Sequence, residues 1–168
     1  MEKQKQNVID DNDYFYRARL QSLQAIDELI QGTIARLEAL GILDNTYIIY
    51  TSDNGFHIGQ HRLQPGKECG YEEDINVPLI IRGPGVPKNT VTDIVTTHTD
   101  IAPTVFEILG LKQREDFDGA VIPLTDDGIT NAVAHRHEHV NVEYWGWALE
   151  EGTHGGRLIF YSEPSRRL

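Results

Sequence analysis

At 168 residues the chain can bury a hydrophobic core as one domain, and its 39% apolar content, two Trp, seven Tyr and five Phe belong to a folded protein. A formal charge of −11 excludes the basic surface that broad binding to nucleic acid or an anionic membrane needs. A single cysteine rules out an intrachain disulfide and a cysteine-rich zinc site, and no apolar run approaches membrane-spanning length.

Residues 1–13 are polar, with no apolar h-region of a secretory signal, and end in Asp10-Asp11-Asn12-Asp13, acids suited to a helix entry. From Tyr14 the apolar positions Leu20, Leu23, Ile26, Ile30, Ile34, Leu37 and Leu40 recur at gaps of three and four, which predicts one amphipathic helix ended by Gly41 at C′. Thr46–Thr51 is β-branched or aromatic almost throughout and predicts a strand covered on both faces, of the kind found in the middle of a parallel sheet. Helix, short turn and strand together predict an αβ unit, so the expected fold class is α/β with a mainly parallel sheet flanked by helices.

Residues 53–76 carry four glycines and a proline and predict a long functional loop. A second apolar strand is expected over Val77–Arg82, a third over Val91–Thr97, and a short helix from Asp100 as N-cap to Gly110 as exit. His139–Trp145 alternates like a strand, and Gly152 onward has no assignable pattern.

The chemistry concentrates beyond the first strand, where ligands bind in open α/β sheets. Asp53 and Asn54 offer two hard oxygen donors suited to Ca²⁺ or Mg²⁺, although Asp-Asn-Gly is by itself an ordinary turn sequence and such an ion takes about six oxygens. Taken singly, His57 and His61 are ordinary hydrogen-bonded histidines and Lys67 a solvated lysine. Cys69 has no activating neighbours and reads as a small buried residue. His135, His137 and His139 could share one side of a strand, but Arg136 and Glu138 between them and the lack of a nearby cysteine count against zinc.

In combination these residues carry a specific resemblance. Thr51-Ser52-Asp53-Asn54-Gly55-Phe56-His57, Gly59-Gln60-His61, Pro65-Gly66-Lys67 and Tyr71 through Gly85, followed by Thr99–Thr104 and Asp118–Leu124, resemble the second half of a sulfatase catalytic domain, within the alkaline-phosphatase superfamily. Fungal-type arylsulfatases and N-acetylglucosamine-6-sulfatases are the nearest in pattern. The resemblance spans about residues 14–146, after a polar segment 1–13 and before a divergent tail 147–168.

It implies that Asp53 and Asn54 ligate an active-site Ca²⁺, with Mg²⁺ the lesser choice, and that Lys67 contacts the sulfate. His57 and His61 would be catalytic, substrate-facing or supporting groups of the same loop. It also implies a formylglycine nucleophile made from the Cys or Ser of a C/S-x-P/A-x-R motif, expected with paired aspartates, a lysine and histidines in a segment ahead of Met1. No such motif is expected within this chain, Cys69 being followed by Gly-Tyr-Glu. The expectation is therefore part of a secretory or extracellular sulfuric ester hydrolase acting on a sulfated small molecule or glycan, inactive as this chain alone, with some apolar surface uncovered. A phosphoesterase or phosphonate hydrolase of the same superfamily, or a non-catalytic scaffold, are the alternatives.

Overall fold

In the computed structural model the described residues are 4–135, 140–144, 147–149 and 158–160. They fall into two units, Met1–Arg82 with Val142–Leu168, and Gly83–Asn141.

The first unit opens with α1, Gln6–Ala39. The helix begins before the acidic cluster that was expected to start it. Pairs one turn apart account for this: Gln6 Nε2 donates to Asp10 Oδ1 at 2.8 Å and Arg17 lies 3.8 Å from Asp13, so acids read as an N-terminus serve inside the helix. The exit is as expected, with Leu40 as C-cap and Gly41 at φ 66°, which favours glycine. The apolar stripe forms but no residue of α1 is buried, and Leu20 and Leu23 remain 46% and 45% exposed.

After α1 comes β1, Ile48–Tyr50, shorter than the Thr46–Thr51 run and only half-buried. It pairs with β2, Ile80–Arg82, in the register Ile48↔Arg82, Ile49↔Ile81 and Tyr50↔Ile80. The pairing is antiparallel, which differs from the parallel neighbours expected. A parallel return needs a crossover, usually a helix packed on the sheet face. Here the intervening chain instead folds back on itself and contains one turn of helix, α2, Glu72–Ile75. Arg82 ties the pair to the 3-10 turn Leu43–Asn45 that follows α1, donating to Leu43 O at 3.0 Å and lying 3.6 Å from Asp44.

The second unit contains α3, Ile101–Ile108, and α4, Asp126–His135. α3 and its exit at Gly110 (φ 64°) are as expected, but the Asp100 carboxylate does not cap α3. It reaches back to the Thr97 N–H and across to the Ala120 N–H, both at 2.8 Å. Thr104, 1% exposed, donates to Asp100 O at 2.6 Å and accepts from the Ile122 N–H at 2.8 Å. The motifs Thr99–Thr104 and Asp118–Leu124 are thus one packed feature, drawn so close that a Cβ on Gly119 would lie 2.1 Å from Thr99 O. The third strand is not formed: 91–97 has no ladder partner among the described residues, and Val91 is 94% exposed.

α4 was not expected, although Thr125-Asp126-Asp127 spells a capped acidic first turn, and Thr125 Oγ1 accepts the Gly128 N–H at 3.1 Å. Residues 140–144 form no strand, whereas β3, Trp147–Leu149, pairs antiparallel with β4, Leu158–Phe160, which lies in the segment from Gly152 read as patternless. The site considered at His135, His137 and His139 involves positions 136–139, outside the described residues.

Thr104→Val preserves shape but leaves the buried Ile122 N–H without an acceptor, and it is expected to destabilise the second unit by about 1–3 kcal/mol. Amide hydrogen exchange at Ile122 should speed accordingly, while exchange at His57 and Gly66 stays as in the parent. Unchanged protection at Ile122 would show that this bond does not hold the unit.

Candidate active site

β1 ends at Tyr50 and delivers Asp53 and Asn54 three and four residues later. Ser52 Oγ donates to Asn54 O at 2.8 Å, which shapes the turn. Asn54 Nδ2 donates to Gly55 O at 2.7 Å, fixing which end of the amide is free to accept. Its oxygen, Oδ1, receives the Lys67 ammonium at 3.2 Å. Asp53 is exposed, and among the described residues its carboxylate has only Ser52 Oγ, at 3.5 Å. Both oxygens are hard donors, and the one already engaged holds a cation. The donor set therefore fits a Ca²⁺ or Mg²⁺ ion in chemistry and would offer two of the roughly six oxygens such an ion takes.

Lys67 reaches Asn54 because the chain between them is pinned at several points. The Gly55 N–H donates to Asp74 O at 2.8 Å, so close that a Cβ on Gly55 would lie 1.9 Å from Glu73 O. His57 and Gly66 exchange backbone bonds, His57 N–H to Gly66 O at 2.9 Å and the reverse at 3.0 Å. Beneath that bridge lie His57, Asp74 and Cys69, which are 3%, 4% and 7% exposed. The Asp74 carboxylate faces His57 Nδ1 at 2.8 and 2.9 Å, and accepts from the Cys69 N–H at 3.0 Å and the Cys69 S–H at 2.9 Å. A carboxylate only accepts, so the hydrogen in the His57 bond is assigned to Nδ1.

His57, Cys69 and Asp74 each offer one ligand-type atom, all within 4.8 Å of one another. Bonds of 2.0–2.3 Å to a tetrahedral ion separate its ligands by roughly 3.3–3.8 Å. The separations of 2.8–2.9 Å on Asp74 are instead those of donors on an acceptor. The Cys69 thiol is pushed up to about 11, first by burial and next by its hydrogen bond to Asp74, so it is neutral at physiological pH. The cluster is a hydrogen-bond network, and Cys69 is the small buried residue its sequence context implied.

His61 stands apart from this cluster. It has the left-handed φ of 55°, stacks on Tyr71 with ring centroids 3.9 Å apart, and brings Nε2 within 3.2 Å of Glu73 Oε2. The structure thus unites Asn54 with Lys67, puts His57 beneath the loop, and pairs His61 with Glu73. Sequence reasoning gave Asp74 no role. It reads as one acid among Glu72-Glu73-Asp74, and its partner lies 17 positions away, beyond any local pattern. The spelling S-x-P-x-R does occur once, at Ser162-Glu163-Pro164-Ser165-Arg166, outside the described residues.

The family model described as Sulfatase matches residues 1–111, a stretch that excludes Ser162–Arg166. A relative named Sulfatase ppz1, from Metarhizium majus (strain ARSEF 297), is 52% identical over 132 residues, covering 78% of this chain and 31% of the relative. A protein solved in complex with its substrate D-glucosamine-2-N,6-O-disulfate superposes with a TM-score of 0.60 at 37% identity, over 63% of this chain and 22% of that one. A phosphonate monoester hydrolase from Silicibacter pomeroyi superposes at 0.54 and 33% identity, over 58% and 19%. The chain therefore spans about a third of the length of the first relative and about a fifth of each solved chain.

With its thiol pushed up to about 11, Cys69 should be about 0.1% thiolate at pH 8, against roughly a quarter for an ordinary cysteine. Its alkylation by iodoacetamide, followed by mass spectrometry, is expected to rise about tenfold per pH unit through pH 8–10. A plateau near pH 9 would contradict the network described.

Proposed function

The chain belongs to the sulfatase family, and from that premise we propose that it is the portion of a sulfuric ester hydrolase that supplies Asp53 and Asn54 to a Ca²⁺ site and Lys67 to the sulfate group. The observation that carries the proposal is the Lys67 ammonium 3.2 Å from Asn54 Oδ1, which puts a mobile cation and a hard oxygen donor in one corner. The ion, when bound, supplies Lewis acidity toward the sulfate group, and the family's formylglycine supplies the attacking hydroxyl.

This chain's own residues bind and orient. Asp53 and Asn54 would offer oxygen ligands to the ion, and Lys67, held at Asn54 Oδ1, would offer its ammonium to the sulfate group. Of the two histidines of this loop, His61, exposed beside Tyr71 and Glu73, is the one placed to meet a substrate. The disulfated glucosamine bound by the solved relative supports a sulfated glycan as substrate class. The uncovered apolar stripe of α1 supports packing against further parts of a larger domain, in which β1 and β2 would join a mainly parallel sheet.

The phosphonate monoester hydrolase likeness favours a second reading, in which the same corner receives a phosphonate or phosphate ester.

A chimera in which this chain replaces the matching part of the Metarhizium majus sulfatase tests both. It is expected to release sulfate from a sulfated glucosamine only with Ca²⁺ present. Asp53→Ala should raise the Ca²⁺ requirement, and Lys67→Ala should lower kcat by about 10²–10³. Preferential cleavage of a phosphonate monoester would support the second reading instead. The isolated chain is expected to release none; release that disappears in Ser162→Ala would overturn the proposal that the nucleophile comes from elsewhere.

A further inference from the structure

The two groups that define the corner, Asn54 and Lys67, lie at distant points of one loop, and Asp74 holds the neighbour of Asn54 directly and the neighbour of Lys67 through His57. Its backbone oxygen takes the N–H of Gly55, next to Asn54. Its carboxylate takes Nδ1 of His57, whose backbone is bonded in both directions to Gly66, next to Lys67. The other edge of the His57 ring packs under the same residue, since a Cβ on Gly66 would lie 3.4 Å from His57 Nε2. Asp74, the His57 ring, Gly66 and Lys67 therefore form one continuous mechanical path. His57 and Asp74 are both buried, so neither side chain is presented to a substrate.

We propose that Asp74 is the positioning residue of this site, holding through His57 the loop conformation that delivers Lys67 Nζ to Asn54 Oδ1. Its relevance to sulfate hydrolysis rests on the function proposed above, but the geometry does not. His57 is on this account a link in the clamp rather than a catalytic residue, and the proton on its Nδ1 is kept there by Asp74.

Asp74→Asn keeps the size of the side chain but offers N–H where the carboxylate only accepted. The donors of His57 and Cys69 then compete for one oxygen, and one of them must give way. NMR of the 168-residue chain reads the result. In the parent, the His57 ring ¹⁵N shifts should show the Nδ1–H tautomer, and a cross-peak should join the Lys67 ε-methylene to the Asn54 side-chain amide. In Asp74→Asn the tautomer signature should shift, the cross-peak should fade, and the His57 and Gly66 amides should exchange about tenfold faster or more. Protection at Ile122, in the other unit, should not change. Thr104→Val should behave in the opposite way, leaving the cross-peak and the tautomer intact.

Retention of the Lys67–Asn54 cross-peak in folded Asp74→Asn would overturn the proposal, as would its loss only together with protection throughout the chain. If Asp74→Asn does not fold, His57→Gln is read by the same cross-peak, and its retention there is equally fatal. In the chimera, Asp74→Asn should lower kcat about 10–100-fold with the Ca²⁺ requirement unchanged. A chimera inactive even without that substitution would count against the proposed function, while the NMR result would still decide the role of Asp74.

Discussion

A carboxylate withdrawn from water must have its lone pairs filled by donors, and the loop 53–74 is built around that requirement. Asp74 meets it with the His57 ring, the Cys69 N–H and the Cys69 S–H. No lysine or arginine is paired with it among the described residues, so the charge is stabilised by oriented dipoles from chain segments far apart in sequence. Each donor that fills the carboxylate also fixes a point of the loop. Satisfaction of one buried group and definition of the loop are thus the same event. Such a network is unforgiving, because removing a donor leaves an unmet demand at its centre as well as a slack segment.

The second unit repeats the device at Asp100. There too a buried carboxylate takes backbone N–H groups from separate segments, those of Thr97 and Ala120, and so brings the start of α3 together with residues 118–124. The core side chains of these units are few: Cys69, Ile122 and Ala132 are the buried hydrophobics among the described residues. Apolar burial alone therefore does little to specify the two loops. Directional bonds to Asp74 and Asp100 supply geometry that a sparse core does not.

What could be read in advance follows from the range of the interactions. α1 and α3 were legible because helical periodicity and glycine exits are local, and the composition of β1 and β2 marked them as strands. Their antiparallel pairing was not legible, because it depends on how the 53–79 segment returns, and that return is fixed by bonds between residues 57 and 66 and between 55 and 74. At the site, the identities of Asp53, Asn54 and Lys67 stood out through the ordered motifs of a family. The part played by Asp74 could not stand out, since an acid among acids has no distinguishing mark until its buried imidazole partner is known. α4 is different: its cap was written in Thr125-Asp126-Asp127, and the weak apolar pattern after it concealed the signal.

The charge of the chain explains why placement of Lys67 matters so much to the proposed chemistry. At a net −11 the protein repels anions at long range, and a sulfate ester is an anion. The proposed function supplies positive charge within a few ångströms of the sulfate, from a metal ion and from Lys67. A lysine carries about 2 kcal/mol of side-chain rotamer entropy, and an exposed one on a slack loop would spread its charge over many positions. Pinning the backbone beside it on both flanks, at Gly66 through His57 and at Cys69 through Asp74, leaves only the side chain itself to search. Asn54 Oδ1 receives the ammonium at 3.2 Å, which sets Lys67 at the oxygens proposed for the ion. The clamp below and the cation above are two halves of one electrostatic arrangement, and neither would serve without the other.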